Sequence, residues 1–197
     1  MQIDITPMFN TSKIKATSKA AQRAVDKAIV SSLNKIAAQG TTKGKKAITT
    51  TYNIKARDIT PAIKVIEAKK GHHVVTVHAK GEQYLSLYKF GGLPKQPVSQ
   101  AGIKAPYKRR RKASAKVLKR GARTKMRHAF VAKLKGSTAI YQRTTGRSLP
   151  IRRLNAIGIP VMFKDQAVQA IGAYVVSDGQ RIFDHELKHY LDKVKGG

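Results

Sequence analysis

The chain has 197 residues, with 40 Lys or Arg against 10 Asp or Glu, a formal charge of +30 and no cysteine. Absence of cysteine excludes disulfides and thiolate metal sites, and no run approaches the roughly 18 apolar residues of a membrane span. Hydrophobic residues make up 41% of the chain, which excludes a fully disordered polycation, and with 6% aromatics and no Trp the core falls to Ile, Val, Leu and Ala.

The N-terminus, Met-Gln-Ile-Asp-Ile-Thr-Pro, lacks the basic start and apolar stretch of a signal peptide. A soluble protein or a component of an assembly is expected, in a reducing compartment. Residues 12–39 read as a helix, capped by Thr11 or Ser12 and ended by Gly40. Val25, Ile29, Leu33 and Ile36 share one face of it with Ala21 and Ala28. The pattern resumes over 43–51, weakened by the β-branched run Thr49-Thr50-Thr51. Asp58 reads as the N-cap of a short turn with Pro61 inside it. Strands are expected at 63–68 and 73–79 around Lys70-Gly71, with a third at 84–90. Residues 91–112 form a long loop rich in Gly, Pro and charge, the mark of a functional arm. Further strands are expected at 115–119, 128–134 and 137–143, with turns near Gly121 and Gly136. An apolar segment at 151–163 leads to a helix over 165–175 and a last helix from Asp178 to about Val194. The fold class is α+β: an antiparallel sheet between N-terminal and C-terminal helices, with a long basic loop. A single domain is expected, divided into a helical region at 12–51, strands at 63–163 with the basic arm at about 91–127, and helices at 165–194.

Three motifs imitate chemistry. His185-Glu186-Leu187-Lys188-His189 has the spacing of a zinc protease, but only Asp192 follows as a candidate third ligand. The stripe Phe183, Leu187, Tyr190 and Val194 makes this an ordinary amphipathic helix flanked by its histidines. His72, His73 and His78 cannot share a metal readily, since residues at odd spacing on a strand face apart. Gly40-Thr-Thr-Lys-Gly-Lys-Lys46 is one residue short of a phosphate loop and has Ala47 where the magnesium-binding hydroxyl belongs, so it reads as a solvated helix break. No catalytic constellation and no cofactor are expected.

The dominant feature is electrostatic. Residues 83–164 carry 21 Lys or Arg and no Asp or Glu, with 12 of the bases in 104–127. Such a surface repels itself and calls for a polyanion. Lys108, Arg109, Arg110, Arg111, Lys112, Lys116, Lys119, Arg120 and Arg123 are the candidate contacts, with Phe130, Leu134 and Ile140 behind them in the core. Tyr107 is the only aromatic between Phe90 and Phe130, so the pattern suits sequence-blind phosphate attraction better than base stacking. An acidic protein surface fits the same charge. On composition alone, a free nucleic-acid-binding protein is the leading reading.

The order of features carries a resemblance. Lys108-Arg109-Arg110-Arg111-Lys112 is followed by His128-Ala129-Phe130-Val131-Ala132-Lys133-Leu134. Gln142-Arg143-Thr-Thr-Gly146-Arg-Ser-Leu-Pro150-Ile151 and Ile157-Gly158-Ile159-Pro160-Val161-Met162-Phe163 complete the series. Together these resemble the minor tail protein Z family of tailed phages, the tail-completion proteins of lambda-like siphophages. The resemblance implies a structural virion protein, assembled in the host cytoplasm and placed in the neck where tail meets head. It implies the tail terminator, tail tube and neck or head-connector proteins as partners, with genomic double-stranded DNA in the channel. It also implies a homo-oligomeric ring, expected to be hexameric, and neither catalysis nor a membrane.

Overall fold

A computed structural model describes residues 1–6, 9, 18–93, 113–134, 136–145 and 149–195. In chain order the elements are β1 (Gln2–Ile5), α1 (Lys19–Thr51), α2 (Ala56–Ile59), β2 (Ile63–Ile66), β3 (Val75–Ala79), β4 (Tyr84–Ser86), β5 (Ser114–Ala115), β6 (Thr124–Lys125), β7 (Ala129–Leu134), β8 (Ser137–Arg143), β9 (Ile151–Arg153), β10 (Asn155–Ile157), α3 (Ile159–Met162) and α4 (Val168–Lys195).

The N-terminal helix is one continuous element rather than two. Ser18 caps α1, its Oγ accepting from the Ala21 N–H at 3.1 Å; the expected caps Thr11 and Ser12 lie outside the described residues. Gly40 does not end the helix, and residues 40–46 are neither a break nor a phosphate loop. The physical reason is the neighbour. A Cβ on Gly44 would stand 3.1 Å from Ala167 Cβ and 3.2 Å from Ile171 Cδ1, so the glycines let a second helix approach closely. Each glycine costs about 1 kcal/mol of helix propensity, which close packing along a long helix offsets.

That second helix is also continuous. α3, a π turn (Phe163–Ala167) and α4 follow without a gap, and the extra residue of the turn buries both Phe163 and Ala167. Asp178 does not start a new helix. It sits inside α4, where its carboxylate accepts from Arg181 Nη2 at 2.6 Å and Ser177 Oγ at 2.8 Å. Packing against α1 overrides the start signal at Asp178, and a Cβ on Gly179 would lie 3.8 Å from Ile36 Cδ1.

Among the described residues, the one expected sheet is resolved into four small antiparallel ones. β2 and β3 form the expected hairpin, with Gly71 at φ +78° in its turn. The third strand of that sheet is β1, giving the order β1-β3-β2. Both edges of β3 are therefore taken, and residues 84–90 go elsewhere: β4 pairs with β10, and a 3-10 turn covers Leu87–Lys89. The turn before β2 starts three residues earlier than the acid pattern suggests, and Asp58 lies inside it rather than capping it. Lys55 is the N-cap of α2, and the Asp58 N–H donates to Lys55 O at 3.0 Å. Pro61 lies in the 3-10 turn Thr60–Ala62. The expected strand at 115–119 stops at Ala115, because the chain turns from Leu118 to Gly121 before β6. The hairpin β7–β8 turns at Gly136, φ +78°, and β9 extends it.

Two apolar clusters hold these elements. The larger lies between the helix pair and the β1-β3-β2 sheet and includes Leu33, Ile48, Val75, Val77, Phe90 and Phe163. The smaller consists of Ala113, Ala115, Val131 and Ile140, with Leu87, Tyr88, Met126, Ala129 and Leu154 around them. Ile140 is buried as expected, but the register places Phe130 opposite Tyr141 and therefore on the other face of the sheet. Leu134 is not core: it is 40% exposed at the hairpin end.

Candidate polyanion-binding surface

Every residue of the smaller cluster belongs to the acid-free stretch 83–164. The sequence bias is thus a spatial one: β5 to β9 form a unit whose own chain supplies no carboxylate side chain. It is fastened to the body by backbone pairing. The Asn53 N–H donates to Val117 O at 2.8 Å and the Lys119 N–H to Thr51 O at 2.9 Å, beside a bridge between Tyr52 and Leu118. Leu93 and Ser114 exchange both hydrogen bonds, at 2.9 and 3.1 Å, so residues 94–112 leave and rejoin the body at one paired point.

Of the candidate contacts, Lys108, Arg109, Arg110, Arg111 and Lys112 lie outside the described residues. Lys116 is half-buried just after β5, with its N–H on Phe90 O at 3.0 Å. Lys119, Arg120 and Arg123 are exposed on the β5–β6 connection, and Arg123 Nη1 donates to Gly91 O at 2.7 Å. Two further arginines join the same unit. The Arg143 guanidinium lies over the Phe130 ring at 5.2 Å, and Arg152 donates through Nε and Nη2 to Gln142 Oε1 at 3.2 and 2.9 Å. All three guanidinium groups are oriented by neutral partners, a carbonyl, a ring and an amide. Among the described residues, no Lys or Arg of 83–164 forms an ion pair. Oriented arginines without counter-ions suit phosphate or carboxylate recognition. The holding residues Gln142 and Phe130 carry no charge, so a reading of charge runs passes over them; their cross-strand register is the signal.

The zinc-protease pattern resolves into a helix tie. His185 is exposed, whereas Glu186 is buried at the α1–α4 interface. Its Oε1 accepts from Lys35 Nζ at 2.6 Å and its Oε2 from Ser31 Oγ at 2.6 Å. Burial pushes the carboxyl up, but hydrogen bonds from Lys35, Ser31 and His185 outweigh this and hold it at about 2, below the ordinary 4.5. The stabilisation is therefore complete above pH 4.5 and is lost as pH falls from there through about 2. The difference in melting temperature between the wild type and Glu186→Gln should be constant above about pH 5 and shrink toward pH 2. A difference independent of pH across that range would remove this role.

Among the described residues, no helix is long and apolar enough to cross a membrane. No curated protein and no solved structure matches the chain. The family described as prophage minor tail protein Z matches residues 11–194, nearly the whole length. The chain belongs to the prophage minor tail protein Z family, whose members are structural proteins of the phage tail.

Proposed function

We propose that the protein completes the tail at its head-proximal end as one domain in a homo-oligomeric ring. In this reading it contacts the tail terminator, the tail tube and the neck or head-connector proteins. Its acid-free unit and the basic loop face genomic DNA in the channel, and Lys108, Arg109, Arg110, Arg111, Lys112, Lys116, Lys119, Arg120 and Arg123 supply the contacts. The observation that supports this most is a cationic unit, with guanidinium groups held by neutral partners and, among the described residues, without ion pairs, in a member of a tail-protein family. Phosphate contacts carry no sequence information, which suits a wall past which any genome sequence moves. The role requires no catalysis, and the Glu186 contacts supply a structural use for the one protease-like motif.

Neutralising Arg109, Arg110, Arg111 and Lys112 together should lower infectivity about ten-fold or more while leaving thermal melting unchanged. Normal infectivity would refute an essential role for the cluster. A free nucleic-acid binder would instead bind duplex DNA tightly as a purified monomer and be missing from particles, which imaging of the tail end tests directly.

A further inference from the structure

Between α1 and α4 lies an open groove of about 690 Å³, lined on one side by residues from Lys43 to Thr51 and on the other by residues from Gln166 to Asp178. Its apolar lining is small: half-buried Ala47 from α1, with half-buried Ala170 and exposed Ala173 from α4. Lys43 and Lys46 form the α1 rim. The other polar groups in the groove are already engaged within the chain. The Thr51 hydroxyl donates to Gln166 Oε1 at 3.2 Å and that of Thr50 to Lys46 O at 2.8 Å, and Asp178 is held by Arg181 and Ser177. The Tyr174 hydroxyl bonds Gln39. Among the described residues, neither rim lysine has a carboxylate within ion-pair distance; Lys43 overhangs the Tyr174 ring at 5.8 Å, and its charge adds to Arg181 and Ser177 in holding the Asp178 carboxyl below its ordinary range.

We infer that this groove is a docking site for an acidic amphipathic segment of another tail protein, separate from the polyanion surface. Small apolar side chains of the segment seat on the alanine lining, and Asp or Glu residues on its edge meet Lys43 and Lys46. The lining decides between a protein and a nucleic acid. Alanine methyls between two helices reward an apolar side chain and offer a sugar–phosphate backbone nothing, whereas a helix or strand laid in a groove presents both kinds of group at once. The flanking α4 surface agrees: the run 166–177 has no charged residue, and Val176, one turn beyond Ala173, is 86% exposed.

The inference rests on the protein being a tail component, and the experiment separates the two. Tails carrying the wild-type protein are treated with a zero-length carbodiimide, which joins a lysine amine to a carboxylate, and the products are mapped by mass spectrometry. Lys43 or Lys46 should be joined to Asp or Glu of a different tail protein. The double variant Lys43→Glu/Lys46→Glu should enter tails at less than about one-tenth of the wild-type level. Arg23→Glu/Lys27→Glu, which makes the same charge change on exposed positions at the other end of α1, should enter normally. Equal thermal melting of both variants confirms that folding is unaffected. Normal entry of Lys43→Glu/Lys46→Glu, or lysine products confined to the protein's own chain, would overturn the groove assignment alone. Wild-type protein missing from purified tails would overturn the tail role along with it.

Discussion

Gly158→Ala is expected to destabilise the protein by about 3 kcal/mol or more and to lower its melting temperature by about 10 °C. Gly158 caps α3 with φ −87°, a value open to any residue, so backbone strain is not the issue. Contact is. A Cβ there would stand 2.1 Å from Glu82 O and 2.5 Å from both the carbonyl carbon and oxygen of Gln83. These are backbone atoms and cannot rotate away. They are also fixed from the adjacent side, because Tyr84 pairs with Ile157 in the β4–β10 ladder. Room for one methyl therefore means opening that ladder, which connects the start of the acid-free stretch to the beginning of the C-terminal helix. Gly121→Ala is the control: a Cβ there meets nothing nearer than Leu118 Cβ at 3.5 Å and should leave melting almost unchanged. A Gly158→Ala protein that melts with the wild type would show that the ladder yields easily.

Phe183→Ala should cost about 3–5 kcal/mol, read as a lower urea midpoint at an unchanged slope. The ring is fully buried and stacks on Phe9, with centroids 4.3 Å apart and planes 2° from parallel. Removing it leaves a hole beneath α4 and also strands Phe9, which ties the chain ahead of α1 to the C-terminal helix. Phe9→Ala, at a half-buried position, should lose less: the stacking contribution of about 1 kcal/mol plus part of the ring's burial. If the two variants were equally destabilised, the stack rather than the cavity would dominate the site.

The periodic elements were legible in the sequence, and the long-range partners were not. Alternation in Val75, Thr76, Val77 and His78 marks a strand whoever its neighbours are, and Gly71 and Gly136 mark turns at positive φ. Gly40 carries a stop signal and Asp178 a start signal, yet both lie inside helices. Each helix lies along the other, and burial over many turns outweighs a local preference of about 1 kcal/mol. Sheet membership was hidden for a related reason: nothing in Tyr84–Ser86 says that β1 already occupies the edge it would have joined. For the candidate surface, charge alone found the basic stretch. What it missed were the neutral residues that aim the arginines, Gln142 and Phe130, because their role exists only in the cross-strand register. Glu186 was read as part of a decoy rather than as the buried link between helices, since the serine and lysine that hold it lie some 150 positions away.

The paired junction of Leu93 with Ser114 has a consequence for changes in the length of the segment between them. The entropy of closing a segment between two fixed ends grows only with the logarithm of its length, so halving or doubling residues 94–112 alters that cost by about 0.6 kcal/mol. The cost of closure at this junction therefore depends only weakly on the number of residues between Leu93 and Ser114. A change in that number is one the helix pair and the sheets behind the junction can absorb as they stand.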